Sequence, residues 1–221
     1  MSETILVSWS GGKDSCMALY ETLKSGESDV AALLTTIWSD SDQVTMHGVP
    51  LALVLRQAEA LGFPLHIVYI PQGASNQIYE ATMKDAISQY AARGIETVVF
   101  GDLFLEDIRE YRNHLLADVG MRAVYPVWMR DTSKFIRDFL DAGFKAVVTS
   151  VDSRKLDSSF AGRILDDEVL SSLPASVDPC GENGEFHTFV FDGPIFKETV
   201  RFTTGETALR NGLHYCELLP G

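Results

Sequence analysis

Positive charge is scarce in this chain. Its 221 residues carry 18 Lys+Arg against 31 Asp+Glu, a formal net charge of −13, and the acidic excess lies on both sides of Pro126. A protein that grips a long nucleic acid by its phosphates needs a basic face. No basic cluster here is denser than Arg154-Lys155, so nucleic acid is disfavoured as a partner. Cysteine is scarce too: Cys16, Cys180 and Cys216 are an odd number without a CxxC pair. That argues against a disulfide framework or a zinc site and fits a reducing cytoplasm. No apolar run approaches the ~18 residues of a membrane span. The start lacks a basic stretch, an apolar run and a small-residue cleavage site, so no secretory signal is expected. Linkers rich in Gly and Ser, repeats and low-complexity segments are also missing. What remains, 46% hydrophobic and 22% charged, is ordinary for a soluble globular chain with a well-buried core.

The first half alternates two periods. Strand patterns rich in Val, Ile, Leu and aromatics fall at residues 4–7, 30–38, 65–70, 97–100 and 123–127. Helical patterns lie between them. The first carries Cys16, Met17, Tyr20 and Leu23 on one face and stops at Gly26. The second starts at Pro50 and ends at Gly62; the third begins at the N-cap Ser75 and ends at Gly94; the fourth stops at Gly120. Strands apolar on both faces and separated by helices predict an α/β fold, a parallel doubly wound sheet. The pattern then changes. A short helix over 132–143 precedes a strand over 144–150, and a further helix is expected within 157–173. Strands at 186–191 and 196–202 are expected to pair across Asp192-Gly193-Pro194, with another strand at 213–219. This places a domain boundary near Pro126, between a parallel α/β domain over residues 1–127 and a smaller α+β domain over 128–221.

In doubly wound sheets the ligand sits beyond the carboxyl ends of the strands. There, after the first strand, the chain reads Ser10-Gly11-Gly12-Lys13-Asp14-Ser15. Two glycines allow close backbone approach. Successive N–H groups can then form an anion nest, to which the following helix adds the positive end of its dipole. Ser10 and Ser15 add hydroxyls, and Lys13 adds a charge. An acidic Asp14 in a phosphate cradle makes sense as a Mg²⁺ ligand. A Walker A loop would need Gly at position 7 and Ser or Thr at 14, where Val7 and Asp14 stand. The bland alternative is a turn with Lys13 and Asp14 in solvent; all six positions together after an apolar strand favour the phosphate site.

SGGKDS resembles the signature of the PP-loop (N-type) ATP pyrophosphatases, which cleave ATP between its α and β phosphates. Three more stretches narrow the resemblance: Met46-His47-Gly48-Val49-Pro50, Gly101-Asp102-Leu103-Phe104-Leu105-Glu106-Asp107, and Asp178-Pro179-Cys180-Gly181-Glu182-Asn183-Gly184-Glu185-Phe186-His187-Thr188 followed by FVFDGPIF. Together they resemble the diphthine–ammonia ligase family over almost the whole chain. The last stretch departs from that family's pattern, with Asn183 in place of Gly and His187 in place of Glu.

The resemblance implies ATP and Mg²⁺ as cofactors, with Ser10, Gly11, Gly12, Lys13, Asp14 and Ser15 around the departing pyrophosphate. An acceptor oxygen would attack the α-phosphorus to give an adenylate, which ammonia then converts to an amide. His47 and the Gly101-Asp102 pair are nucleotide-contact candidates, Asp102 through a second Mg²⁺ contact or the ribose. The alternatives are a solvated loop histidine and a helix-capping aspartate. Glu182, Asn183, Glu185, His187 and Thr188 form the candidate acceptor site. Glu185 and His187 share a face if the strand starts there, and could orient an amine or accept its proton; charges on an exposed strand are the alternative. Cys180 and Cys16 read as small buried hydrophobes. Expected partners are ATP, ammonia and an acceptor that is either a modified protein side chain or a small carboxylate; a homodimer is compatible. PP-loop tRNA modification and a non-catalytic nucleotide-binding regulator remain as other readings.

Overall fold

Strands that are apolar on both faces need helices on both sides, and the first half of the chain meets that need. The computed structural model describes residues 2–45 and 47–221. In chain order the elements are β1 (Glu3–Ser8), α1 (Lys13–Ser25), β2 (Ser28–Trp38), β3 (Gln43–Val44), α2 (Leu51–Leu61), β4 (Leu65–Ile70), α3 (Asn76–Ala91), β5 (Thr97–Val99), α4 (Glu106–Ala117), β6 (Arg122–Val124), α5 (Thr132–Asp141), β7 (Lys145–Asp152), α6 (Asp167–Ser172), β8 (Phe186–Asp192), β9 (Phe202–Arg210) and β10 (Leu213–Pro220). No helix among the described residues is long and apolar enough to cross a membrane.

Contacts divide the chain into two units. The first comprises the chain to Ser10, Asp14–Thr45 and Phe63–Met129. Its parallel strands run β4-β2-β1-β5-β6, with the short antiparallel β3 on the end of β2. Leu6, Leu34, Val68 and Val98 pack with Met83 and Ile87 of α3 and Leu115 and Leu116 of α4. Their neighbours Ile5, Val7, Leu33 and Val99 are equally buried and point to the opposite face, as the two-residue strand period requires. From β1 the chain first builds outward through β2 and β4, then returns to lay β5 on the other side of β1. The direction of winding therefore switches between β1 and β5, where doubly wound sheets bind their ligands.

The second unit comprises Gly11–Lys13, residues 47–62 with α2, and Arg130–Gly221. Its sheet is antiparallel, in the order β8-β7-β10-β9. Helix α5, capped by the Asp131 carboxylate on the Lys134 N–H at 2.8 Å, buries Phe135, Ile136 and Phe139. Phe139 stacks on Phe144 with ring centres 5.0 Å apart.

Two expectations fail here. Residues 196–202 do not pair with β8; only Phe202 of that stretch lies in a strand, and β8 pairs with β7 instead. The actual hairpin joins β9 to β10 through Asn211 (φ 51°) and Gly212 (φ 84°), the two left-handed residues that a tight hairpin turn requires. The Asn-Gly pair was the better turn signal. The helix expected within 157–173 breaks into a 3-10 turn at Ser158–Phe160 and the short α6. Phe139 is fully buried; Phe139→Ala is expected to cost about 3–5 kcal/mol, read as a lower urea midpoint at unchanged slope.

Candidate active site

The first unit brings together Ser10, Asp14, Ser15, Gly101 and Asp102. Strand β1 ends at Ser8 and α1 begins at Lys13, so Asp14 and Ser15 fall in the first helical turn. The hydroxyls of Ser10 and Ser15 are 3.2 Å apart. After β5 the backbone at Gly101 closes on this turn. A Cβ there would lie 2.5 Å from the Asp14 carbonyl carbon and 2.7 Å from the Ser15 nitrogen, a space that only glycine leaves open. Asp102 pairs with Arg112, whose guanidinium lies 4.5 Å over the Phe100 ring. Burial raises the Asp102 carboxyl above its usual range, Arg112 opposes, and the negative charge of Asp14 raises it further. The two carboxylates therefore lie in each other's field, and a divalent cation would relieve both. Among the described residues no group of three or more His, Cys, Asp and Glu could hold a metal alone. Asp102 does not cap α4; Leu105 occupies that position.

In the second unit Gly11, Gly12 and Lys13 meet strand β8. Gly11 is left-handed at φ 78°, and its carbonyl accepts the Val190 N–H at 2.9 Å. The Lys13 N–H donates to Thr188 Oγ1 at 3.1 Å. Lys13 is only 2% exposed, and its ammonium lies 5.5 Å over the Phe186 ring. The imidazoles of His47 and His187 face each other at 4.6 Å. Burial first and the Lys13 charge second lower His187 from 6.5 to about 4. His47 is lowered well below 6.5 by burial, then by His187 and Lys13, against a hydrogen bond to the Thr188 backbone. Its Nδ1 is buried and has no hydrogen-bond partner, so the Thr188 bond engages the other ring nitrogen. Both rings are neutral near pH 7. Met46, which opens the His47 stretch, lies outside the described residues.

Glu185 sits just before β8 and is 3% exposed. One carboxylate oxygen accepts from the Asp178 N–H at 3.4 Å and from the Asn183 amide at 3.3 Å; the other is buried without a hydrogen-bond partner. Glu185 and His187 are therefore held by different neighbours, the loop before β8 and His47. Glu182 enters that loop through its own N–H on the Asp178 carboxylate. Cys180 is buried and donates its S–H to the Thr132 carbonyl. Burial raises the Cys16 thiol.

Three residues escaped the sequence reading. Arg112 fixes Asp102. Lys155, half of the densest basic pair, reaches the Asn183 carbonyl at 2.7 Å. Gln57 is fully buried within the apolar stripe of α2, and one polar residue inside such a stripe was the signal that could have found it.

A doubly wound parallel sheet with a glycine–lysine loop after its first strand is consistent with a PP-loop nucleotide-binding fold. The diphthamide synthase N-terminal domain matches residues 3–123 and the diphthamide synthase C-terminal domain residues 131–218. The chain belongs to the diphthamide synthase family. It is similar to diphthine–ammonia ligases: at 26% identity to that of Danio rerio, over 91% of this chain and 87% of the relative, and at 23% to that of Homo sapiens, over 91% and 84%. A 26% identical diphthine–ammonia ligase of Schizosaccharomyces pombe matches 95% of this chain, but the match spans only 38% of that longer protein.

The His187 ring is expected to remain neutral at pH 6 and to titrate near 4, read by imidazole nitrogen shifts in NMR. Its folded-state value lies below its unfolded one, so the unfolded chain binds the extra proton. Stability from this group is complete above pH 6.5 and falls as the pH drops toward about 4. Lys13→Met should move the midpoint upward.

Proposed function

We propose that this protein is an ATP-dependent, AMP-forming ligase that amidates an acceptor carboxylate with ammonia; the names of its relatives state ligation of ammonia to diphthine for them. The observation that carries this reading is the loop at residues 10–15, with left-handed Gly11 and buried Lys13, bonded to the strand that bears His187 and Thr188. In this reading residues 1–127 serve nucleotide binding and 128–221 acceptor binding, in a reducing cytoplasm where all three buried cysteines remain thiols. The acceptor is a modified protein side chain or a small carboxylate.

The loop N–H groups, Lys13 and the hydroxyls of Ser10 and Ser15 hold the β and γ phosphates. An acceptor carboxylate oxygen attacks the α-phosphorus, the bond to the bridging oxygen breaks, and pyrophosphate leaves with the electron pair. Fixed donors favour that charge because they need no reorganisation as it develops. Asp14 and Asp102 are the carboxylates that would hold Mg²⁺, which when bound neutralises phosphate charge. Ammonia then attacks the acyl carbon, AMP departs, and the nitrogen loses a proton. Glu185 and the neutral His187 are the groups suited to accept it, one a carboxylate with an unused oxygen, the other an imidazole with a lone pair. His47 backs His187, while Gly101 lets the β5 end approach the nucleotide. Glu182 and Asn183 shape the acceptor loop.

With ATP, ammonium and a panel of small and peptide carboxylates, AMP and pyrophosphate should appear in equal amounts, and only when acceptor and ammonium are both present. ADP and phosphate instead would overturn the reading. Asp14→Asn should lower turnover about a hundredfold or more. Glu185→Gln should lower the ammonia-dependent step while leaving acceptor-dependent exchange of pyrophosphate into ATP near wild type.

A further inference from the structure

We infer that Gln57 is a positioning residue that locks the phosphate loop to strand β8, so that the loop and the acceptor strand hold one register. The inference rests on the reading of residues 10–15 as the pyrophosphate site, and its geometry lies wholly within the second unit.

Helix α2 buries Leu53, Val54, Gln57, Ala58 and Leu61, a helical stripe in which an amide is out of place. Burying an amide without partners costs several kcal/mol, so a fully enclosed glutamine needs its donors used. They are: Gln57 Nε2 donates to the Gly11 carbonyl at 3.0 Å and to the Val190 carbonyl at 2.6 Å. The Val190 N–H closes the ring by donating to the same Gly11 carbonyl at 2.9 Å. Three bonds thus join one loop peptide, one strand residue and one helix side chain. The fit is close, because a Cβ on Gly11 would lie 2.7 Å from Gln57 Oε1.

The consequence follows from the planar trans peptide, in which C=O and the next N–H point in opposite directions. No peptide bond among the described residues is cis. Drawing the Gly11 carbonyl toward Gln57 and β8 therefore aims the Gly12 N–H to the other side. The next amide, that of Lys13, turns back to Thr188. Gln57 touches no reacting atom; it sets the direction of a loop donor and ties that direction to the strand bearing His187.

The test compares wild type with Gln57→Met, which keeps length and packing but loses both donors. In ligand-free protein, amide hydrogen exchange should rise together, by about tenfold, in peptides covering residues 9–15 and 186–192, while α3 stays unchanged. Inorganic pyrophosphate and ATP, by equilibrium binding, should each weaken about tenfold. Gln57→Glu is the second variant: its carboxylate faces two carbonyl oxygens, and only the protonated form regains one donor. Relative to wild type at each pH, its loop and strand protection should recover between about pH 8 and pH 5, which loss of packing alone would not produce. Wild-type exchange in either segment of Gln57→Met, or a flat pH profile for Gln57→Glu, overturns the inference. If wild type binds neither pyrophosphate nor ATP, the functional reading falls, and the exchange data still decide the lock.

Discussion

An edge strand needs hydrogen-bond partners, and β8 finds them in the loop that follows β1. At the outer edge of its sheet, β8 would present unpaired backbone groups to solvent or to another chain. Instead Val190 bonds the Gly11 carbonyl and Thr188 receives the Lys13 N–H. One set of bonds therefore finishes the antiparallel sheet and shapes the glycine–lysine loop. The same strand carries His187 and places Phe186 beneath the Lys13 ammonium, so the local electrostatics depend on it too.

That electrostatics is organised by burial around a single cation. Lys13 is almost wholly enclosed, and its charge helps keep two neighbouring imidazoles neutral. Neutral imidazoles beside a lysine can accept protons at a pH where exposed histidines would be partly charged. A buried glutamate with one carboxyl oxygen outside any hydrogen bond lies just before the same strand. In the first unit burial raises the Asp102 carboxyl, Arg112 opposes, and the charge of Asp14 adds to the rise.

Local signals carried most of what the sequence revealed. The strand, glycine loop and helix at the start, and the caps at Ser75 and Gly62, are short-range patterns with one mechanical reading, and each appears as expected. The second sheet was harder because its pairing is long-range. Asp192-Gly193-Pro194 looked like a hairpin turn, yet β8 found β7, some forty residues upstream, as its neighbour. Asn211-Gly212 had the stronger turn chemistry and was passed over. Within the candidate site, Ser10 to Ser15 stood out because the whole run is unusual. Gln57 and Arg112 were harder: Gln57 showed only as a polar residue in an apolar stripe, its partner Gly11 lying far away in the chain, and Arg112 looked like any exposed helix arginine although it turns back to Asp102.

The enclosed lysine also has to be weighed against the charge of the whole molecule. With a net charge of −13, the long-range field repels any polyanion, and in the proposed reading attraction begins only close to the loop. Counterions within roughly 10 Å at 0.1 M salt shorten that repulsion while leaving the contacts of the buried ammonium almost unscreened. Added salt should then speed the capture of a triphosphate, where a basic protein would be slowed, and the same outward push helps a spent polyanion to leave.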